Sequence, residues 1–296
     1  MATVKHRIEY WAAKIGFGIA SLMSAKRANA FGKFLGRLLS RIIASRKVVA
    51  IDNLKHAFKE TKTEAEYDTI AIQSFENIGQ TFIELARFDK ITQDDIKEMI
   101  QYDDLSAFQK AADEQNGAIV VTSHFGNWEL AGASVVAMGY KFDVVVKVQS
   151  NPLVDRLITN LRKKLQIGII PVKVSTLRDI LTSLRSNHFI GIAADQHDPS
   201  GNLILDFFGR KASVAKGPAV FAKKQNCPII PAVMRRIKYN KFEIITAPGI
   251  YPSESIDESD DIIRMTNEYL VFFEDVIRKY PEQWMWTHKR WKINVD

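Results

Sequence analysis

The second half of the chain alternates short apolar runs with amphipathic segments, and this alternation constrains the fold more than any other feature. The apolar runs lie at 118–123, 142–148, 189–194 and 229–234, and the amphipathic segments lie around 128–138, 152–166, 175–186 and 213–225. Such runs are typical of buried strands, and the segments between them have helical spacing. The pattern predicts an α/β fold with a mixed sheet that is parallel at its centre and flanked by helices. Further helices are predicted at 64–87, 105–114 and 258–280, with an edge strand at 242–246.

The positive charge of the protein is concentrated at its N-terminus. The whole chain carries a net charge of +7, and residues 1–60 alone contain twelve Lys or Arg against three Asp or Glu. We therefore expect basic amphipathic helices over 1–60 and an α/β domain over 61–296. A basic excess at one end favours contact with an anionic membrane surface, and it disfavours a nucleic-acid groove through the body of the protein.

A membrane-associating helix is predicted within this N-terminal region. Apolar residues recur at helical spacing, and the cations Lys33, Arg37 and Arg41 lie between them, as in helices that lie in a membrane interface. The apolar members are Phe31, Phe34, Leu35, Leu38, Ile42 and Ile43. An ordinary packed helix with a solvated basic face has the same spacing. The apolar run at 6–23 is interrupted by Lys14 and is short for a membrane span, so the pattern leaves open whether the N-terminus crosses the bilayer.

The candidate catalytic residues follow the apolar run at 118–123. His124 and Glu129 would point about 140° apart on an unbroken helix, so they can meet only if the chain turns between them. Gly126 permits such a turn, and Asn127 is a good N-cap for a helix that continues through Glu129. A carboxylate beside a histidine orients the ring and stabilises its protonated form. The stretch therefore predicts a His124 general base with Glu129 as its partner, although a histidine after a strand is often structural.

Other polar residues are placed to join the same site. Asp195 and Gln196 follow the run at 189–194, and the carboxyl ends of parallel strands converge on the ligand crevice of an open α/β sheet. Lys147 ends another run, and Arg162 lies on the following helix, where a guanidinium could bind phosphate or simply face solvent. Arg210 precedes a Gly-Pro turn into a helix whose N-terminus could attract an anion.

Several classes of chemistry lack their sequence signatures. Cys227 is the single cysteine, which excludes an intrachain disulfide framework and a cysteine-rich metal site. The sequence contains no H-E-x-x-H, Walker A, G-x-G-x-x-G or G-x-S-x-G pattern, so zincin, P-loop, dinucleotide and serine-hydrolase chemistry are disfavoured. A His and Asp cluster at 195–198 can bind metal in other proteins, but its spacing fixes no ligand geometry, and we expect no metal site.

Taken together, the motifs resemble those of the late acyltransferases of lipid A biosynthesis, a branch of the lysophospholipid acyltransferase superfamily. The resemblance covers nearly the whole chain and rests on His124-Phe125-Gly126-Asn127-Trp128-Glu129, Asn151-Pro152-Leu153-Val154-Asp155-Arg156, Asp195-Gln196, Phe207-Phe208-Gly209, the tail from Pro281 to Trp291, and Asn53-Leu54-Lys55-His56-Ala57-Phe58. Glu129 stands where the wider superfamily has Asp, which is typical of this branch. Lys147 stands where the family pattern suggests Arg.

The resemblance implies an enzyme that transfers an acyl chain from an acyl-carrier-protein thioester to a hydroxyl of a lipid A precursor, at the cytoplasmic face of the bacterial inner membrane. It implies His124 as general base, Glu129 as its partner, and Arg162 and Asp195 as residues that shape the site. With the residues noted above, the candidate substrate-binding residues are Asn127, Lys147, Arg162, Asp195, Gln196 and Arg210. The thioester supplies the activation, so no metal or organic cofactor is expected. Three alternatives remain open: an acyl-CoA-dependent transferase for another glycolipid, phospholipid or aminolipid, a hydrolase, and a non-catalytic membrane-binding protein.

Overall fold

A mixed sheet forms the centre of the protein. The computed structural model describes residues 3–59, 61–200 and 203–292. The strands are β1 (Ile100–Tyr102), β2 (Ala118–Thr122), β3 (Phe142–Val146), β4 (Gly168–Pro171), β5 (Phe189–Ala193), β6 (Ile204–Phe207), β7 (Arg210–Ser213), β8 (Ile229–Lys238) and β9 (Lys241–Thr246). Among the described residues, seven of these strands form one sheet in the order β1-β9-β8-β2-β5-β3-β4. The five strands from β8 to β4 run parallel, and β9 pairs antiparallel with β8. The predicted fold class is confirmed.

Helices cover both faces of this sheet. They are α1 (Val4–Leu22), α2 (Ala25–Ile42), α3 (Ala44–Phe58), α4 (Glu64–Leu85), α5 (Gln93–Met99), α6 (Ser106–Glu114), α7 (Trp128–Ala137), α8 (Pro152–Lys164), α9 (Thr176–Arg185), α10 (Gly217–Gln225) and α11 (Glu258–Lys279). Alternate residues of β2 point to opposite faces, as the period of a strand requires. Ile119 and Val121 pack with α9, α10 and α11, whereas Val120 packs with α5, α6, α7 and α8.

The structure differs from the sequence prediction at three short segments. β9 is not the edge of the sheet, because β1 pairs beyond it. β4 forms the other edge and was not predicted, since its apolar core is only Ile169 and Ile170 between Gly168 and Pro171. The helix predicted from 213 begins at Gly217 instead, because the preceding residues form the antiparallel β6–β7 hairpin.

The helix α2 packs on α4 through small residues. Its buried positions are Ala28, Gly32, Gly36 and Ser40, one on each turn. A Cβ atom at Gly32 would lie 2.6 Å from the Cα atom of Gln80, so the two backbones are in direct contact. This row, rather than the large apolar residues, faces the protein.

The N-terminal helices therefore leave apolar side chains exposed. In α2 these are Phe34, Leu38 and Ile42, and in α1 they are Val4, Ile8, Trp11, Ile15, Ile19 and Leu22. Both sets recur at helical spacing, so each helix presents an apolar row to its surroundings. No helix in the described part of the chain has the length and apolar character needed to cross a membrane. The division into 1–60 and 61–296 stays a prediction.

Candidate active site

A cavity of about 450 Å³ opens at the carboxyl end of the parallel strands, between the sheet and α7. Its volume falls within the range of roughly 300–1,000 Å³ that is usual for ligand pockets. The polar residues His124, Glu129, Lys147, Gln149, Arg162 and Gln196 line one part of it. The apolar lining comes from strand interiors and from α7, and it includes Val120, Gly132, Val135, Phe142, Val144, Ile167, Gly191 and Ile244. A polar mouth thus leads into an apolar slot.

His124 is held at the mouth by Asp195. The ring Nδ1 of His124 lies 2.8 Å from Oδ1 of Asp195, and the His124 backbone N–H donates to Oδ2 at 2.9 Å. The two residues meet because β2 and β5 are neighbouring parallel strands, with Ala194 N–H donating to Thr122 C=O just before both side chains. Since Nδ1 is engaged by Asp195, Nε2 is the ring nitrogen left for a substrate.

The turn between His124 and α7 depends on Gly126. Its φ is +54°, and a Cβ atom there would collide with the carbonyl oxygen of Met234. Glycine alone combines this backbone angle with so close an approach. Asn127 then caps α7, because its Oδ1 accepts from Leu130 N–H at 2.9 Å. The predicted turn and N-cap are both confirmed.

Glu129, the predicted partner of His124, is hydrogen-bonded to a different residue in this structure. Both oxygens of Glu129 bind Arg162 instead, at 2.9 Å from Nε and 2.7 Å from Nη2. The guanidinium fork matches a carboxylate in two parallel hydrogen bonds, which explains the preference. Glu129 still acts on His124 through space, because its charge helps to raise the His124 pKa.

The electrostatics of the pair favour the charged forms of both groups. Burial lowers the pKa of His124, but the charge and hydrogen bond of Asp195, together with the charge of Glu129, outweigh it, and the net pKa is raised above 6.5. Burial raises the pKa of Asp195, yet the His124 ring, the His124 backbone N–H and the Trp284 indole lower it overall. His124 is therefore a stronger base than an isolated histidine.

The structure separates the remaining predicted residues into two groups. Lys147, Arg162 and Gln196 line the cavity, and Gln196 Nε2 lies 3.4 Å from Nδ1 of His124. Asn127 does not: its side chain is fully buried, capping α7 and donating to Glu84 at 2.6 Å. Arg210 lies exposed on β7, outside the lining of the cavity, and its role in substrate binding stays a prediction.

The C-terminal tail supports the site in a way that the sequence did not indicate. Trp284 is buried, and its Nε1–H donates to Oδ2 of Asp195 at 2.8 Å. The backbone N–H of Met285 donates to His124 C=O, and Gly126 N–H donates to Gln283 C=O. Trp284 and Trp286 are also buried in the hydrophobic core. The tail therefore holds the turn between His124 and α7 in place, and the Trp284–Asp195 contact has no local sequence signal.

Within the described ranges, no group of three or more His, Cys, Asp or Glu side chains is arranged to hold a metal ion. Cys227 is a buried free cysteine, and burial raises the pKa of its thiol to about 12. The thiol therefore stays protonated and is a poor nucleophile.

Known proteins are similar to this chain over nearly its whole length. A sequence profile described as "Bacterial lipid A biosynthesis acyltransferase" matches residues 2–293. A lipid A biosynthesis lauroyltransferase of Escherichia coli (strain K12) is 24% identical over 294 residues, covering 97% of this chain and 93% of the relative. A palmitoleoyltransferase of the same pathway and organism is 22% identical over 291 residues, covering 96% and 92%. A phosphatidylinositol mannoside acyltransferase of Mycolicibacterium smegmatis is 23% identical over 206 residues, covering 67% and 64%.

Proposed function

This chain belongs to the bacterial lipid A biosynthesis acyltransferase family, and from that premise we propose that it transfers a fatty acyl chain from an acyl-carrier-protein thioester to a hydroxyl of a lipid A precursor. That it is an acyltransferase follows from the family itself. The observation that carries the finer proposal is the His124–Asp195 pair at the mouth of an apolar slot. A base beside a slot of this kind suits an acyl chain with its thioester at the mouth.

In the proposed reaction, His124 Nε2 takes the proton of the acceptor hydroxyl. The hydroxyl oxygen then forms a bond to the thioester carbonyl carbon, the carbon–sulfur bond breaks, and the leaving thiolate takes the proton back from His124. Asp195 fixes the ring through Nδ1 and stabilises the imidazolium formed in between, as a carboxylate does in other histidine-based sites. Asp195 thereby takes over the orienting role that the sequence suggested for Glu129.

Glu129 and Arg162 have a second role in this proposal. Their bidentate pair is largely buried and lies on the cavity wall, so it holds α8 against α7 beside the base. The charges of Glu129 and Arg162 cancel, so Lys147 leaves a net positive charge at the mouth. A positive charge there suits an acceptor that carries phosphate. The positively charged rim also suits an acidic carrier protein as donor.

The proposed location is the cytoplasmic face of the bacterial inner membrane. The outward apolar rows of α1 and α2, together with the basic residues beside them, support association with an anionic membrane surface. The relatives from Escherichia coli are named for lipid A biosynthesis, which is consistent with a lipid acceptor.

A second candidate is an acyl-CoA-dependent transferase with another glycolipid, phospholipid or aminolipid as acceptor. The similarity to a phosphatidylinositol mannoside acyltransferase favours keeping it. The purified protein should be offered acyl carrier protein and CoA donors in parallel, each with a lipid A precursor and a phosphatidylinositol mannoside. Mass spectrometry of lipids from cells with and without the protein then identifies the acceptor and the chain length.

We predict that His124→Ala lowers the rate of transfer by a factor of about 10²–10⁴, the usual contribution of a general base. The chain offers a matched control in His188, whose Nδ1 lies 2.7 Å from Oδ2 of Asp143. His188 directly precedes β5, at the amino-terminal end of the parallel strands, whereas His124 follows the carboxyl end of β2. His188→Ala should retain activity. Full turnover by His124→Ala, with transfer to either acceptor intact, contradicts the proposed base.

A further inference from the structure

A second, polar cleft lies outside the acyl cavity, and its walls suggest a ligand. It has a volume of about 210 Å³ and lies between α2, α4, the end of β8 and the C-terminal tail. Its lining includes Asn29, Lys33, Gln80, Lys238 and Tyr239. None of these residues lines the cavity that contains His124.

The cleft contains buried hydrogen-bond donors without acceptors. Gln80 is 3% exposed, and its Nε2 has no hydrogen-bond partner among the described residues. The Nδ2 of Asn29, from the facing helix, is also buried without a partner there. Leaving such a donor unsatisfied costs about 1–3 kcal/mol, so native structures usually provide an acceptor. An acceptor bound in the cleft would satisfy both donors, because both residues line it.

The charges around the cleft favour an anion. Neither Lys33 nor Lys238 has an ion-pair partner in the part of the chain that the structure describes. Two carboxylates also line the cleft. Glu76 is bound by Arg37 at 2.6 Å, and Glu282 accepts from Gln283 Nε2 at 3.3 Å. The lining Arg236 is likewise paired, with Glu84. The groups without an ion-pair partner are thus two ammonium groups, of Lys33 and Lys238, and one carboxylate, of Glu282. The cleft therefore has an excess of positive charge.

We propose that this cleft binds the phosphate of an anionic phospholipid headgroup. A phosphate group brings several acceptor oxygens and negative charge, which match the two amide donors and the two lysines. The rim is apolar in part, since Ile237 is 41% exposed and Tyr239 is 47% exposed. Phe34, next to Lys33 on α2, is 63% exposed. An apolar rim is suited to the glycerol and acyl region of a lipid rather than to free phosphate.

The cleft adjoins the turn between His124 and α7 but does not include it. Asn77 and Gln283 line the cleft, and the side chain of Asn77 donates to Gly126 C=O at 2.9 Å and to Gln283 C=O at 3.0 Å. A bound headgroup thus lies beside the support of His124. Its binding does not depend on which acyl donor or acceptor the enzyme uses.

The test uses a short-chain, soluble phosphatidylglycerol below its micelle concentration, which removes general adsorption to a membrane. Its binding is measured as protection of the full-length protein against thermal unfolding, since a ligand of the native state raises the unfolding temperature. Inorganic phosphate at the same ionic strength is the second probe. We expect the lipid to protect at concentrations at least tenfold lower than inorganic phosphate.

Gln80→Glu is the decisive variant, because it keeps the shape of the side chain but replaces a donor with a negative charge. We expect it to raise the lipid concentration needed for protection at least tenfold. Lys26→Gln is the matched control: it changes the net charge by the same amount, on an exposed position of α2 outside the cleft, and should behave as wild type. Lys238→Gln, at an exposed position, gives a second variant if Gln80→Glu does not fold.

Equal protection by the lipid and by inorganic phosphate would overturn the lipid assignment. Lack of protection by either probe, or the same protection of wild type, Gln80→Glu and Lys238→Gln, would overturn the site itself. Because protection is measured without turnover, these results are independent of whether the proposed acyl transfer is observed.

Discussion

Asp195 contributes most to raising the pKa of His124 against the effect of burial, and this gives a prediction for the pH dependence of transfer. A base must be neutral to accept a proton, and the pKa of His124 is raised above 6.5. Activity should therefore fall as the pH drops through a value above 6.5. In Asp195→Asn the attraction that raises the pKa is lost while burial, which lowers it, remains, so this limb of the profile should move to lower pH.

The same variant should also lose activity, by a factor of about 10²–10⁴, because the ring is no longer oriented by a carboxylate. The measurement is kcat against pH with saturating donor. Asp143→Asn is the control, since Asp143 binds His188 at a distance of 2.7 Å, at the amino-terminal end of the parallel strands. If the acid limb of the pH profile does not move in Asp195→Asn, the group whose protonation lowers activity is not His124.

Phe142 is predicted to limit the length of the acyl chain that the slot accepts. Its ring fills the space beside two glycines: a Cβ atom at Gly132 would lie 2.9 Å from Phe142 Cε1, and one at Gly191 would collide with Cζ. Phe142→Leu should open the slot and shift preference toward longer chains. Gly191→Ala should push the ring into the slot and favour shorter chains.

Competition between donors of different chain length, read by mass spectrometry, measures both effects. Core substitutions of this kind change stability by about 1–3 kcal/mol, so folding should be checked for each variant. Opposite shifts in the two variants support an acyl slot beside Phe142. An unchanged chain-length preference in both would place the acyl chain elsewhere.

At the level of elements, the α2–α4 contact should be the most sensitive part of the N-terminal region. A Cβ atom at Gly36 would collide with the carbonyl oxygen of Phe75, and one at Gly79 with that of Gly32. Gly36→Ala should lower the free energy of unfolding by about 1–3 kcal/mol through overpacking. Gly18→Ala in α1 is the matched control, because nothing lies within 4 Å of its added methyl group.

The control should be neutral or stabilising by about 0.5–1 kcal/mol, since alanine is the better helix former. Urea unfolding followed by circular dichroism measures both free energies. If both variants lost the same stability, the helices would not be in the close contact described.

The sequence predicted the elements that have strong periodicity and missed those that depend on pairing. The four main strands are long enough to carry a local pattern, whereas β1 and β4 have three and four residues. The residue that binds His124 is determined by tertiary structure. Asp195 is 71 residues away in sequence, and the pairing of β2 with β5 brings it close. The local pattern suggested Glu129, which lies nearer in sequence but prefers Arg162.

The position of Arg210 also depends on pairing. The sequence places this basic residue before a Gly-Pro helix start, but Arg210 begins the second strand of the β6–β7 hairpin and lies exposed there. The pattern of α2 was predicted in part. Its apolar and basic rows were visible in the sequence, but the glycine row that packs on α4 has no hydrophobic signal.

At the scale of the whole molecule, membrane association should have two components that salt separates. Lys33 and Arg41 contribute charge, and replacing both with Gln should weaken binding to anionic vesicles at low salt, by about 1 kcal/mol for each cation. The effect should vanish in 1 M salt, where the Debye length is about 3 Å. Arg37 is not replaced, because its loss would leave the buried carboxylate of Glu76 without a cation.

The apolar component comes from α1. Ile8 and Ile15 are 67% and 58% exposed, so Ile8→Ser with Ile15→Ser should leave the fold unchanged and still reduce vesicle binding. The reduction should be tenfold or more, since burying one such side chain contributes about 1.5–3 kcal/mol, and it should persist at high salt.

Lys141→Gln with Lys224→Gln is the charge control, because both residues lie near the amino-terminal ends of β3 and β8, away from His124. Vesicle flotation at two salt concentrations distinguishes the components. A salt-sensitive loss in the α1 variant, or an equal loss in the charge control, would refute an orientation in which α1 and α2 face the bilayer.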